Sequence, residues 1–210
     1  MRKRWNPSRI GGASCAASLL WACAVGTHAA AQAPFTDEAV ARGVDYTVEL
    51  GFTPFGTQYY GSGLGFVDFD ADGDPDIIVA GAAGGAIGLY ENDGTGVFAD
   101  RSLDSLGVAR SAPEPRAAGV SAADIDGDGD LDLHITRAGL TDRLYRNDGD
   151  WTFVEISAQA GVANDGFGFG AIWTDFDADG FPDLYLSNRT GTTEGVLRYD
   201  QENELYRNNG

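Results

Sequence analysis

The stretch Asp68–Asp76, DFDADGDPD, sets five carboxylates in nine residues. It returns as DIDGDGDLD at Asp124–Asp132 and as DFDADGFPD at Asp175–Asp183. Two carboxylates about 4 Å apart repel by about 1 kcal/mol in water and about 4 kcal/mol at an effective dielectric of about 20. Each cluster holds several such pairs, so a compact chain must neutralise them. Position 1 of each cluster is Asp68, Asp124 or Asp175, and position 3 is Asp70, Asp126 or Asp177. Position 5 is Asp72, Asp128 or Asp179, and position 9 is Asp76, Asp132 or Asp183. Position 6 is glycine throughout, at Gly73, Gly129 and Gly180. Position 7 is Asp74, Asp130 or Phe181. Phe has no side-chain oxygen, so position 7 serves through its backbone carbonyl if it ligates at all.

Carboxylates at every second residue, followed by a sharp glycine turn, wrap oxygen around one hard cation. Calcium takes about six to eight oxygens and tolerates irregular geometry. An EF-hand would place a bidentate Glu at position 12 between helices. Here that position is Val79, Ile135 or Leu186, inside an alternating apolar run. A dockerin-like module would also continue into helix. Zinc or copper would need His or Cys, and magnesium prefers fewer carboxylates and more water. The sequence therefore predicts three calcium ions, one per cluster.

The clusters sit inside a longer repeat. Phe followed by Gly-Val recurs as Phe35…Gly43-Val44, Phe98…Gly107-Val108 and Phe153…Gly161-Val162. A glycine stands five residues before each cluster, at Gly63, Gly119 and Gly170. LYENDG, LYRNDG and LYRNNG end at Gly94, Gly149 and Gly210. Phased on Phe, the units are 35–97, 98–152 and 153–210. Each cluster runs into a short alternating stretch that reads as a strand. Ile77, Leu133 and Leu184 share one face with Val79, Ile135 and Leu186, and Ile78, His134 and Tyr185 take the other. NDG and NNG read as hairpin turns. Asp37–Arg42, Ser102–Leu106 and Ser157–Ala160 are candidates for single helical turns, and nothing after residue 31 reads as a longer amphipathic helix. The expected fold is all-β, with β-propeller blades of four antiparallel strands. Three units fall short of the roughly four to eight blades that close a propeller. The reading is thus the front part of a longer protein, cut at a repeat boundary.

The N-terminus reads as a secretory signal: basic MRKRWNPSR, apolar ASCAASLLWACAV, then small residues through Ala31. Cleavage after Ala31 would start the mature chain at Gln32. The alternatives are an uncleaved anchor and a lipoprotein built on Cys23. Cleavage removes both cysteines, the lone Lys3 and three arginines, leaving 10 arginines against 32 acids and a net charge of −22. The whole chain carries −18, which argues against nucleic acid and anionic membranes as partners and in favour of cations. An exported chain without disulfides needs another staple, and the Asp clusters can supply it. The expected location is extracellular, cell-surface or periplasmic. The scarcity of Lys beside many Ala, Gly and Arg suggests a GC-rich bacterial source.

Glycine five residues before DxDxDGxxD, followed by an apolar strand, resembles the FG-GAP or VCBS repeat of integrin-α-like β-propellers. Phe169-Gly170 reproduces the name pair, whereas Ser62-Gly63 and Ala118-Gly119 keep only the glycine. The LYRNDG and Phe…Gly-Val segments are similar to those of the ASPIC/UnbV and cartilage-acidic-protein group. The resemblance spans residues 35–210. It implies a propeller, usually seven-bladed, with calcium in the hairpin between the first two strands of each blade. It implies ligation by side chains at positions 1, 3, 5 and 9 and by the carbonyl at position 7.

Two functions fit the sequence. One is a secreted scaffold for binding or adhesion to an extracellular protein or glycan. Its contact loops would be Ala80–Gly88, Gly139–Arg143 and Arg189–Asp200, which vary among units. The other is the non-catalytic part of a carbohydrate-active enzyme whose active site lies beyond residue 210. No catalytic residue is assigned within this chain. The cluster carboxylates are committed to metal, and His134, the sole histidine after residue 31, reads as a packed strand residue. Gly61–Gly65 lacks nucleophile-elbow and phosphate-loop patterns. Asn188-Arg189-Thr190 fits a glycosylation acceptor.

Overall fold

A computed structural model describes residues 35–46, 63–81, 87–102, 117–189, 191–193, 196–198 and 202–210. The signal segment, most of Ser102–Leu106 and parts of the first and third variable loops lie outside the described residues. Residues 38–210 form one compact unit.

That unit is all-β. The first sheet runs β1 (Gly63–Val67), β2 (Asp76–Ala80), β3 (Ile87–Asn92) and β4 (Phe98–Asp100), in that order and antiparallel. The second repeats the pattern with β5 (Ala117–Ala123), β6 (Asp132–Arg137), β7 (Arg143–Asn147) and β8 (Phe153–Glu155). The third has β9 (Gly168–Thr174), β10 (Asp183–Asn188) and β13 (Glu204–Tyr206). Between β10 and β13 comes a small hairpin, β11 (Gly191–Thr193) with β12 (Val196–Arg198). Helical structure among the described residues includes a 3-10 turn at Val40–Arg42 and one α-turn, α1, at Ser157–Ala160. Successive antiparallel strands of this kind are propeller-like blades, left open rather than closed into a ring. Phe98 and Phe153 open the outer strands β4 and β8, so each Phe closes the sheet of the preceding Asp cluster.

The alternation seen in the sequence decides the packing. Ile78, Ala80 and Leu89 of the first sheet share a buried cluster with Leu133, Ile135 and Tyr145 of the second. Leu144 on the opposite face of the second sheet meets Leu184 and Leu186 of the third. Each Leu or Ile among them contributes about 1.5–3 kcal/mol when fully buried. The residues of the third sheet equivalent to Phe69, Ile78 and Leu89 are Phe176, Tyr185 and Leu205, which are 50%, 39% and 56% exposed.

The glycine before each cluster has a packing reason. A Cβ on Gly63 would sit 2.8 Å from the Gly119 backbone, and one on Gly119 would meet Thr136 Oγ1 at 2.8 Å and Phe169 O at 3.1 Å. The first strands of neighbouring sheets approach backbone to backbone here. Gly63→Ala should therefore cost about 1–3 kcal/mol, as overpacking does, whereas Gly65→Ala, whose Cβ would find Ile78 at an ordinary 3.5 Å, should cost less. Urea denaturation of both variants checks this; equal costs would contradict the close-approach account.

Candidate metal centres

Each Asp cluster is the loop between the first and second strands of its sheet: β1–β2, β5–β6 and β9–β10. The sequence dictates the loop's path. Position 6 takes a left-handed φ of 95°, 99° and 98° at Gly73, Gly129 and Gly180, which only glycine adopts without strain. Position 4 is also left-handed, at Ala71 (57°), Gly127 (79°) and Ala178 (60°). Two reversals within three residues curl the loop inward.

The curl brings carboxylates together. Asp68, Asp70 and Asp76 offer oxygens that all lie within 4.8 Å of one another, as do those of Asp124, Asp126 and Asp132 and those of Asp175, Asp177 and Asp183. Positions 1, 3 and 9 thus converge in all three loops. The position-1 carboxylate also accepts from the position-6 amide, at 3.0, 3.1 and 2.9 Å. Position 5 accepts from the position-7 amide through Oδ1, at 2.9, 2.9 and 3.0 Å. Asp68 Oδ1 is buried and has no hydrogen-bond partner in the structure. A cation is one group that could satisfy such an oxygen.

Position 7 behaves differently. A Cβ on Gly94 would strike Asp74 Oδ2 at 2.6 Å, one on Gly149 would touch Asp130 Oδ2 at 3.4 Å, and one on Gly210 would strike the Phe181 ring at 2.9 Å. The side chain at position 7 therefore lies over the glycine of the hairpin turn. That placement explains why Asp and Phe are interchangeable there.

Position 9 has a second task that sequence reasoning missed. Asp76, Asp132 and Asp183 are fully buried or within 1% of it. Each accepts from the position-2 amide through Oδ2: Phe69 at 2.9 Å, Ile125 at 2.7 Å and Phe176 at 3.0 Å. Each accepts through Oδ1 from an Asn amide at or after the end of the third strand: Asn92 at 2.9 Å, Asn147 at 2.8 Å and Asn208 at 2.8 Å. This carboxylate braces the loop to the sheet. The signal was the Asn of LY-x-N, which recurs in phase with the Asp.

The electrostatics match clustered, partly desolvated carboxylates. Burial raises Asp76 to about 6, with Asp70 and Asp68 adding repulsion and two backbone donors opposing. Burial likewise raises Asp132 to about 6. Asp70 and Asp126 are also raised, chiefly by burial. In the third loop Arg207 sits among the carboxylates, with Nε 2.5 Å from Asp177 Oδ2 and Nη2 2.8 Å from Asp179 Oδ2. Its counterparts turn elsewhere: Arg146 pairs with Asp148 at 2.6 Å, and Glu91 with Arg101 at 2.5 Å. Repetition could not reveal Arg207, because the position varies.

A pH prediction follows for the cation-free chain. Asp76 and Asp132 hold protons more tightly folded, near 6, than at the ordinary 3.8. Their contribution to stability is full below the ordinary value and is lost as pH rises through about 6. Asp142, raised by burial to about 7, acts in the same direction. His134, lowered by burial to about 4, opposes them. The three carboxyls outweigh it, so the cation-free melting temperature should be higher at about pH 5 than at about pH 7.5. Saturating divalent cation should reverse that order, because protons and cation compete for the same oxygens. Thermal melts at both pH values test this, and a cation-free chain less stable at pH 5 would contradict it.

His134 is wholly buried, edge-on to Trp173 at 6.2 Å, with neither ring nitrogen hydrogen-bonded. It is a packed strand residue whose Nε2 stands 4.0 Å from the buried Asp142 Oδ2, and burial disfavours its charged form. Of the variable loops, Gly139–Arg143 is described throughout, and its Asp142 lies buried against Asn164 Nδ2 at 3.1 Å. No helix among the described residues is long and apolar enough to cross a membrane.

Comparison with known proteins adds to this geometry. A family model described as FG-GAP-like repeat matches residues 68–135. Cartilage acidic protein 1 of Mus musculus is 31% identical over 170 residues, a match covering 77% of this chain and 24% of that protein. Its counterpart in Homo sapiens is 30% identical over 169 residues with the same shares. The chain spans about a quarter of the length of these curated relatives. A solved structure of an Agrocybe aegerita lectin, described for recognition of non-reducing terminal N-acetylglucosamine, aligns with 72% of this chain and 39% of its own, at 18% identity and a TM-score of 0.37.

Proposed function

We infer that this chain, a protein of FG-GAP-like repeats, is a calcium-binding scaffold of propeller blades, exported to present its loops to an extracellular protein or glycan. The observation that carries the calcium reading is the convergence of the same three carboxylates in all three loops, with Asp68 Oδ1 buried and unpartnered among them. An all-oxygen, multiply charged donor set suits calcium and offers neither sulfur nor imidazole to softer metals. Positions 1, 3, 5 and 9 would hold the ion by side chain. Position 7, whose side chain is turned to the hairpin glycine, would contribute its carbonyl. Bound calcium supplies positive charge and rigidity, and removes the repulsion within each loop. Export is supported by the basic, apolar and small-residue segments at the N-terminus. The scaffold role is supported by propeller-like sheets whose connecting loops differ from repeat to repeat.

Calorimetric titration tests the reading. Three calcium ions should bind, with dissociation constants of about 10⁻⁴–10⁻³ M, as in extracellular modules. The third loop should be the weakest, because calcium must displace Arg207. Asp70→Ala should abolish one site, while Asp74→Ala should leave three. Equal losses from both variants would refute the division between positions 3 and 7, and a chain that takes up no calcium would overturn the reading.

A further inference from the structure

The three loops are joined by hydrogen bonds. Phe69, at position 2 of the first loop, donates its amide to Asp76 Oδ2 at 2.9 Å, and its carbonyl accepts from Asn147 Nδ2 at 2.9 Å. Asn147 donates its own amide to Asp132 Oδ1 at 2.8 Å in the second loop. Asp132 Oδ2 accepts from Ile125 N at 2.7 Å, and the Ile125 carbonyl accepts from Asn208 Nδ2 at 2.8 Å. Asn208 N in turn donates to Asp183 Oδ1 at 2.8 Å in the third loop. The path therefore runs Asp76, Phe69, Asn147, Asp132, Ile125, Asn208, Asp183 without a break, across contacts 78 and 83 residues apart in sequence. Asn147 is fully buried, and the first joint has a second strut, Trp151 Nε1 to Asp70 Oδ2 at 3.2 Å. Trp151 holds a left-handed φ of 59° at that contact. Asn92, by contrast, spends its side chain within its own loop, on Pro75 O at 3.1 Å.

Resting on the calcium reading above, we propose that Asn147 and Asn208 are positioning residues that couple each Asp loop to the next, so that filling one loop raises its neighbour's affinity for calcium. The cause is ordering. A filled first loop fixes Asp76, which fixes the Phe69 peptide, whose carbonyl holds the Asn147 side chain. Asn147 then presents its amide to Asp132 already in place. The second loop binds with less conformational entropy left to lose, which is positive coupling without any large movement. Hydrogen bonds in series also polarise one another.

The test disables one loop and reads the others. Calcium titration of the full chain carrying Asp68→Ala should show the second and third loops binding about fivefold or more weakly, at the low end of ordinary coupling. In an Asn147→Ala background the same change should alter their affinity less than about twofold. Asn92→Ala should leave the coupling intact. If Asn147→Ala fails to fold, Asn208→Ala with Asp124→Ala asks the same question of the second joint. Amide hydrogen exchange needs no Asn variant: at subsaturating calcium, Asp68→Ala should speed exchange at Asn147 and Ile125 about fivefold. Three calcium ions on the unaltered chain, with the second and third loops keeping their affinities in Asp68→Ala, or an equal drop with and without Asn147, would overturn the coupling and leave the calcium reading standing. No calcium uptake by the unaltered chain would overturn both.

Discussion

Calcium should raise the melting temperature of this chain by about 10 °C or more over the chelated form. The expectation follows from mass action. A ligand that binds only the folded state adds about 2.7 kcal/mol per site at one hundred times its dissociation constant. Three sites give several kcal/mol, comparable with the whole stability of a typical domain. For a chain of this length each kcal/mol moves the melting temperature by about 2–4 °C. Neither cysteine lies among the described residues, and the staple proposed here is the cation. Magnesium should shift the melt much less, because its shell is smaller and strictly octahedral. Scanning calorimetry with calcium, with magnesium and with chelator measures all three. A melting temperature indifferent to chelator would remove the structural role of the cation.

Asp132→Ala should be among the most damaging single substitutions in the loops. Asp132 is 1% exposed and accepts both Ile125 N and Asn147 N. Its removal strands two backbone donors, each costing about 1–3 kcal/mol when buried and unpaired, and takes one ligand from the second site. The expected loss is about 3–5 kcal/mol in the cation-free chain, with further loss in calcium. Asp132→Asn keeps the shape and one acceptor, so it should fall between. Asp74→Ala, over the hairpin glycine, should stay within about 0.5 kcal/mol, as surface changes do. Urea titrations of the three variants give the order, and an Asp132→Ala chain as stable as Asp74→Ala would contradict the bracing role.

Much of this was legible because the chain repeats itself. Three copies separate positions that must be Asp from one that tolerates Phe181, and the structure explains the tolerance by turning that side chain away. The glycine at 63, 119 and 170 was visible as a landmark, but its cause at Gly63 and Gly119, the backbone of the next sheet's first strand, is a contact between repeats, and Gly170 meets only Ser187 of its own sheet. The strands after each cluster followed from alternation over Ile77–Val79, Leu133–Ile135 and Leu184–Leu186. Sheet boundaries were harder to see. Phe98 and Phe153 mark a period without saying that they close the sheet behind them. Periodicity fixes spacing, and strand pairing fixes membership. Asn92, Asn147 and Asn208 were read as turn residues, and their link to the position-9 carboxylate required the fold. Arg207 left no repeated signal, since Glu91 and Arg146 hold its place in the other copies.

The central claim, one calcium per Asp loop, is tested most directly by metal content. The chain is dialysed against about 10 mM calcium, about ten times the weakest expected dissociation constant, and calcium bound per chain above the dialysate level is measured by atomic emission, beside a variant carrying Asp68→Ala, Asp124→Ala and Asp175→Ala. The account predicts three ions on the unaltered chain and none on the variant. No bound calcium on the unaltered chain, or three ions retained by the variant, would contradict it.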